Sequence, residues 1–474
     1  MMVINETMSM SYITIVSQCD FATNSMDKAI MSAASFIGNF TKNVSYQESR
    51  VLTFFTGIFF SSYIWGYLSD SIGRRPILIY TTFTGNILSL VSIFIPNYWI
   101  YVVVRFFVGF FIAGASSTTY AYLGEFYTPK HRPVVINYAS MFVGVSAVYV
   151  PAVAWLVMSM DWSFEIIDGF LFRPWRLLTI FYMLPGLLGT LMLLNLPESP
   201  KFLLAKGKTD DAFAAVNWIS MKNTGKELHE FKVKMLLVQE TAEDENALII
   251  KKMWMETLPL FKKPHLLNFS ISCTIMCGLF FSSSGMGLWY PEILNRLGSS
   301  DIEDATTVCE VIDASIDQSH LNSTISACSD EINTKSYIDT ITYGSSLIVG
   351  YIIMGFVLNH IGRKSAITGG LAIAASCALL LVWMKDEIAI VVCFCLYLVL
   401  PSLCISVLSG AVVDLVPTHL RGKAVCICLM VGRTGSVFGS NIIGVLLESY
   451  CILTFGVFSG FVLCKIIHEN YCCL

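Results

Sequence analysis

Gly66-Tyr67-Leu68-Ser69-Asp70-Ser71-Ile72-Gly73-Arg74-Arg75 sits between two long apolar runs. Gly355-Phe356-Val357-Leu358-Asn359-His360-Ile361-Gly362-Arg363-Lys364 sits between two others, 289 positions further on. The same displacement carries Glu125, which is followed by Pro129 and Arg132, onto Asp414, which is followed by Pro417, Arg421 and Gly422. Two separate motifs that keep one offset mark two homologous halves, because a chance likeness of composition does not preserve spacing.

Working outward from these loops, eleven apolar runs follow one another from 51–69 to 450–468, each broken by a short polar or Pro/Gly stretch. A twelfth, at 1–18, is short and holds Asn5 and Glu6. A spanning helix needs about 20 apolar residues. In lipid the backbone must satisfy its own hydrogen bonds, and the alternation of a barrel strand is not seen, so the runs read as helices. The composition agrees: of 474 residues, 55% are hydrophobic and 14% charged, where a soluble domain carries about 25% charge. Disorder is excluded by that hydrophobicity. A net charge of −4 without a long basic cluster argues against nucleic acid as a partner. Most of the 15 cysteines lie inside apolar runs, which excludes a secreted disulfide scaffold. The fold class is an all-α polytopic membrane protein of two pseudo-symmetric six-helix bundles, nominally twelve transmembrane helices with the first reading as truncated.

The expected divisions are an N-terminal bundle at 1–196, a charged helical loop at 197–265 and a C-terminal bundle at 266–474, which carries an acidic loop at 291–337. Within 197–265, Thr209, Asp210 and Asp211 open a helix ending near Ser220, and a second is expected from Lys226 to Glu240. Arg74 with Arg75, Lys130 to Arg132, Lys201 to Lys208, Arg363 with Lys364, and Arg421 with Lys423 fall in alternate connections, which places those connections in the cytosol. The 291–337 loop then faces outside or a lumen. There Asn322-Ser323-Thr324 is a glycosylation sequon, and Cys309 and Cys328 are a candidate disulfide pair.

The motif G-x-x-x-D-x-x-G-R-R between helices 2 and 3 resembles the signature loop of the major facilitator superfamily. Glu125-x-x-x-Pro129-x-x-Arg132 and Pro197-Glu198-Ser199-Pro200-Lys201-Phe202-Leu203 resemble its sugar-porter branch. Trp162-Ser163-Phe164, Pro174-Trp175-Arg176 and Gly287-Leu288-Trp289-Tyr290-Pro291 narrow the resemblance to the synaptic vesicle glycoprotein 2-like transporters. The resemblance implies two bundles rocking about a central site. It makes Gly66, Asp70, Gly73, Arg74, Arg75, Gly355, Gly362, Arg363 and Lys364 a cytosolic gating motif, with Glu125, Arg132, Glu198, Asp414 and Arg421 as its charge network. Asp70 is expected to take bonds from a helix N-terminus or an arginine. The basic residues also serve simply as topology signals. Helix 7 reads Ser282-Ser283-Ser284-Gly285 where glucose-type porters are glutamine-rich, which argues against a hexose. Asn5 to Asp20 resemble the outer half of helix 1, and 39–56 read as an insertion within helix 2, of the kind a retained intron leaves.

Arg105 lies inside helix 4, where a guanidinium at bilayer depth costs roughly 2.5–3.5 kcal/mol and must find a partner. The resemblance suggests proton or ion coupling; a structural pair or snorkelling to the interface is the plainer reading. Arg433, near the start of helix 11, reads as a cytosolic-side anchor. Substrate-binding candidates are Tyr120, Asn137, Trp155, Trp289, Tyr290, Ser406 and Ser409, with Trp155 foremost, although an aromatic in a spanning helix is more often packing. No catalytic grouping or metal spacing is present among the seven histidines, so no enzyme, cofactor or metal is expected. The expected function is secondary active or facilitative transport of a small organic ion or polar solute, alone or together with a proton, by a monomer in a plasma or vesicle membrane. The alternative is a transporter-shaped vesicle glycoprotein that moves nothing and acts through its luminal loop.

Overall fold

The computed structural model describes residues 1–17, 61, 64–128, 132–160, 162–167, 170–231, 257–287, 289–290, 293–294, 307, 309–310, 334–416, 421–449, 451–457 and 459–460. The expected insertion at 39–56, the sequon at Asn322 and Cys328 lie outside these residues.

The first half contributes α1 (Met2–Val16), α2 (64–72), α3 (Arg74–Ser92), α4 (Tyr98–Glu125), α5 (Arg132–Met158) and α6 (Pro174–Leu193). Two short helices follow, α7 (Pro200–Ala205) and α8 (Thr209–Thr224). The second half contributes α9 (Leu266–Phe280, continued by a π turn over Phe281–Gly285), α10 (Thr334–His360), α11 (Arg363–Leu380), α12 (Glu387–Leu415), α13 (Arg421–Ser449) and α14 (451–457). Seven of the described helices, α4, α5, α6, α9, α10, α12 and α13, are long and apolar enough to cross a membrane. The helix expected at Lys226–Glu240 is, in its described part, a 3-10 turn over Leu228–Phe231.

Helix ends follow local chemistry. Asn97 accepts from the backbone N–H groups of Trp99 and Ile100 to start α4, and Asp386 accepts from Ala389 to start α12. Pro174 opens α6 and Pro200 opens α7, where a missing N–H costs nothing. Between α5 and α6 the chain forms an antiparallel hairpin, β1 (Phe164–Ile167) with β2 (Phe170–Phe172).

The halves meet where α5 packs along α10. A Cβ on Gly344 would lie 2.6 Å from the Ala147 backbone, and one on Gly144 would lie 2.8 Å from the Ile348 nitrogen. Only glycine permits this approach, and in lipid such close backbone packing is what holds helices together. Large apolar side chains such as Phe107, Leu188, Ile353 and Leu453 point outward, as a lipid-facing surface requires.

The candidate disulfide is corrected. Cys309 bonds to Cys451, with Cα atoms 5.5 Å apart, and both are buried. The pairing spans 142 residues, so it arises from where the post-α9 segment folds over the start of α14. Proximity within one loop did not decide it.

Candidate functional site

Three charged assemblies occupy the molecule, and each begins with a feature of the chain. The first is the loop from α2 to α3. Gly73 adopts φ 129°, a conformation an L side chain rarely takes, and it leads into α3 with no side-chain cap of its own. The cap arrives from more than a hundred residues away. The Glu198 carboxylate accepts from the Arg74 N–H at 3.2 Å and from the Arg75 N–H at 3.1 and 3.3 Å. It therefore satisfies the first amides of α3 and sits at the positive end of the helix dipole. The Arg74 side chain donates to Asp70 Oδ1 at 2.7 Å, reaches Glu125 Oε1 at 3.2 Å and lies over the Phe202 ring at 4.9 Å. Arg75 donates to the carbonyls of Leu193 and Leu194 at 3.2 and 2.7 Å, closing the C-terminus of α6. One loop thus ties the ends of α2, α3, α4, α6 and α7 together.

Of the two partners expected for Asp70, the arginine is present in Arg74, while Glu198 is the carboxylate that caps α3. Glu125 pairs with Arg74, and the side chains of Arg132, Asp414 and Arg421 lie outside the described residues. In the second half, Gly362 takes φ 84° at the start of α11, and Gly355 approaches Asn137 and Tyr138 of α5. Arg363 and Lys364 are half-buried.

The second assembly is sealed in the first half. Arg105 of α4 donates to Glu6 Oε2 of α1 at 2.6 Å; the two side chains are 0% and 1% exposed. Arg105 also donates to the Tyr101 hydroxyl at 3.0 Å and to Thr179 Oγ1 at 3.4 Å, while Ser89 donates to the other Glu6 oxygen at 2.7 Å. A charge at this depth is tolerated only when opposed and hydrogen-bonded, and both conditions are met. Sequence reasoning missed Glu6 as the partner, although a carboxylate inside an apolar run is itself the signal.

The third is a cavity of about 190 Å³ between the halves. Ile4 and Thr7 of α1, Tyr120 of α4 and Ser140 of α5 face Ser283 of the π turn, Tyr343 and Tyr351 of α10, Ser406 and Ser409 of α12 and Arg433 of α13 across it. Tyr120, Ser406 and Ser409 are therefore on its wall as expected of a binding site. Asn137 sits behind the wall: it donates to the Tyr351 carbonyl at 2.9 Å and accepts from Ser406 Oγ at 3.4 Å, bridging the two halves.

Three candidates are placed elsewhere. Trp289 is buried and donates to the Ser440 carbonyl at 2.9 Å, and Tyr290 packs among Tyr343 and Phe394. Trp155 is 40% exposed beside the fully buried Ala154, and it is not among the described residues that line the cavity. The anchor reading of Arg433 is corrected. It lies about 18 Å along α13, counting 1.5 Å per residue from the start of that helix, which puts it at cavity depth rather than at an anchor position. Its Nη1 is 3.5 Å from the Ala113 carbonyl of α4.

The family described as Major Facilitator Superfamily matches residues 14–312. Synaptic vesicle glycoprotein 2C of Mus musculus is 26% identical over 269 residues, covering 52% of this chain and 37% of that protein. Synaptic vesicle glycoprotein 2A of Homo sapiens is 24% identical over 280 residues, covering 54% and 38%. The match thus spans well under half the length of these relatives. Among solved structures, the proton:xylose symporter XylE bound to 6-bromo-6-deoxy-D-glucose superposes with a TM-score of 0.60 at 15% identity, covering 98% of this chain and 93% of the symporter. The human organic anion transporter MFSD10 superposes at 0.57 with 13% identity, covering 99% and 97%. At such identities the likeness is one of fold.

Proposed function

The chain belongs to the Major Facilitator Superfamily, and on that premise we propose that this integral multi-pass membrane protein moves a small organic ion or polar solute across its membrane by alternating access. The observation that carries the reading is the cavity walled by both halves, because a site shared between two bundles changes its exposure when they rock. Bonds that cross between the halves, among them Asn137 to Tyr351, Ser406 to Asn137 and Arg433 to Ala113, are those a rocking motion must break and remake. The bonds of Arg74 to Asp70 and Glu125, and of Glu198 to the start of α3, tie helix ends within the first half, which supports its moving as a unit.

The sealed pair gives the cycle a coupling element. Protonating Glu6 removes its charge and frees Arg105 to turn to other acceptors, so the pair can link proton uptake to the conformation of α1 and α4. The test is flux into proteoliposomes holding the full chain, read for a panel of labelled organic anions, cations and sugars with and without an imposed pH gradient. Saturable uptake of one class is the expected result. Glu6→Gln is expected to leave uptake down the solute gradient and to abolish its response to pH. A folded protein that moves no solute of any class would overturn the reading and leave the second one, a membrane glycoprotein acting through its 291–337 segment.

A further inference from the structure

The hydroxyls of the cavity wall have a direction. In the first half, Thr7 Oγ1 donates to the carbonyls of Val3 and Ile4 at 3.0 and 3.1 Å, and Ser140 Oγ donates to the Ile136 carbonyl at 3.0 Å. In the second half, Ser283 donates to Leu279 at 2.7 Å, Ser402 to Leu398 at 2.9 Å, Ser406 to Leu403 at 2.8 Å and Ser409 to Ile405 at 2.7 Å. All of these side chains line the cavity. Serine and threonine in an apolar helix take such bonds to the preceding turn. A hydroxyl has one proton and two lone pairs. Once the proton is turned back into its own helix, what each residue leaves unused is the accepting side of its oxygen. No Asp or Glu is among the described residues that line the cavity, so these acceptors are neutral oxygens.

The two directions of hydrogen bonding then differ in cost. A solute O–H or N–H adds a bond to a wall oxygen without breaking one. A solute that only accepts must first draw a hydroxyl proton off a helix carbonyl at 2.7–3.1 Å, which exchanges one bond for another. The wall also holds donors, the Arg433 guanidinium among them, and a solute hydroxyl can accept from these while its own proton goes to the wall. Phe106 and Phe110 of α4 and Phe280 of α9 line the same space, so the body of the solute lies among rings, where another ring packs well.

We propose that the cavity binds a phenolic solute with at least two hydroxyl donors, one received by Thr7 or Ser140 of the first half and one by the π turn or α12 of the second. That this solute is cargo rests on the transport reading above; that it binds does not. The probe is resorcinol, whose two hydroxyls are too far apart to bond each other. Its monomethyl and dimethyl ethers keep the ring and both oxygens and remove one and two donors. Saturation-transfer NMR titrations of the full chain in nanodiscs, with empty nanodiscs subtracted, rank the three. Resorcinol should bind saturably and about fivefold more tightly than the monoether, the value of one net hydrogen bond, with the diether weaker again. Absent saturable binding, equal affinities, or a diether that binds best each overturns the proposal. myo-Inositol offers hydroxyls without an aromatic ring; displacement of resorcinol by an equal concentration of it overturns the assignment to phenols.

Ser140→Ala and Ser409→Ala each delete one acceptor, one from each half. Both should weaken resorcinol severalfold and leave the diether unchanged, and Ser409→Thr, which keeps the oxygen, should bind as the wild type does. Alanine variants that elute as the wild type and bind all three probes as it does overturn the role of the wall hydroxyls. The flux panel above separates the two claims. If resorcinol binds with this ranking and no solute crosses, the transport reading falls and this one stands. If a solute of another class crosses while resorcinol does not bind, this one falls and transport stands.

Discussion

At Gly73 the chain takes φ 129°, and at Gly362, 289 positions later, it takes φ 84°. Both residues end a helix and begin the next, and both loops carry two basic residues at that start. What holds the turns differs. Above Gly73 stands the Glu198 carboxylate, close enough that a Cβ there would lie 2.5 Å from Oε2; around Gly362 no atom of the described residues comes within 4 Å of that position. Asp70, which grips Arg74, has Asn359 as its counterpart, and an amide cannot form the ion pair. The same contrast recurs at bilayer depth. Arg105 of the first half is locked to Glu6 with 0% of its side chain exposed, whereas Arg433 of the second half lines the cavity. The backbone turn recurs in both halves, while the carboxylate cap and the Asp70–Arg74 pair are described in the first. At bilayer depth the first half holds Arg105 against a carboxylate, and the second places Arg433 on the cavity wall.

The buried arginines give the largest expected effect. Glu6→Gln leaves Arg105 opposed by no charge in a dry site and should cost about 3–5 kcal/mol of stability. Arg433→Gln removes a charge from a cavity wall and should cost well under half of that. Unfolding of the two variants in detergent, followed by tryptophan fluorescence, checks the ranking. If Arg433→Gln is the more damaging, the second arginine is structural and the contrast fails. The two glycines come next. Gly362→Ala should cost about 1 kcal/mol, the ordinary penalty for forcing a side chain to positive φ. Gly73→Ala meets the same penalty and also displaces the Glu198 carboxylate, so about 2–3 kcal/mol is expected. Equal losses in paired thermal melts would mean that the carboxylate above Gly73 yields freely.

Much of this architecture could be read from the residues, and the parts that could not share a cause. The two halves were legible because a constant offset between motifs is one-dimensional information. The spanning helices were legible because an apolar run needs no partner to declare itself. The hairpin at 164–172 was not, since strands of four and three residues are too short to show alternation. The positions of Trp155 and Arg433 depend on rotation about, and depth along, a helix axis, and the pairing of Cys309 with Cys451 depends on how a distant helix end returns to one loop. Glu198 illustrates the limit. Its motif was recognisable, yet its task as the cap of α3 exists only once α6 has brought the chain back to the loop.

Two smaller predictions sharpen the comparison of the loops. Glu198→Gln keeps the shape of the cap and removes its charge, so it should cost about 1 kcal/mol, the usual value of an anion at a helix N-terminus. Hydrogen exchange should localise the loss to the amides of Arg74 and Arg75, which the carboxylate binds. Protection unchanged at those amides would show that the backbone turn holds α3 without the carboxylate.

Asp70→Asn copies the second loop into the first. Its side chain is 30% exposed, against 14% for Arg74, so solvent screens the pair, and Glu125 remains 3.2 Å from the same guanidinium nitrogen. About 0.2–1 kcal/mol is therefore expected. A loss larger than that of Glu198→Gln would move the centre of the clamp from the helix cap to the ion pair. The difference between the loops would then lie in one carboxylate of the motif itself, and Asn359→Asp should stabilise the second loop by a similar amount.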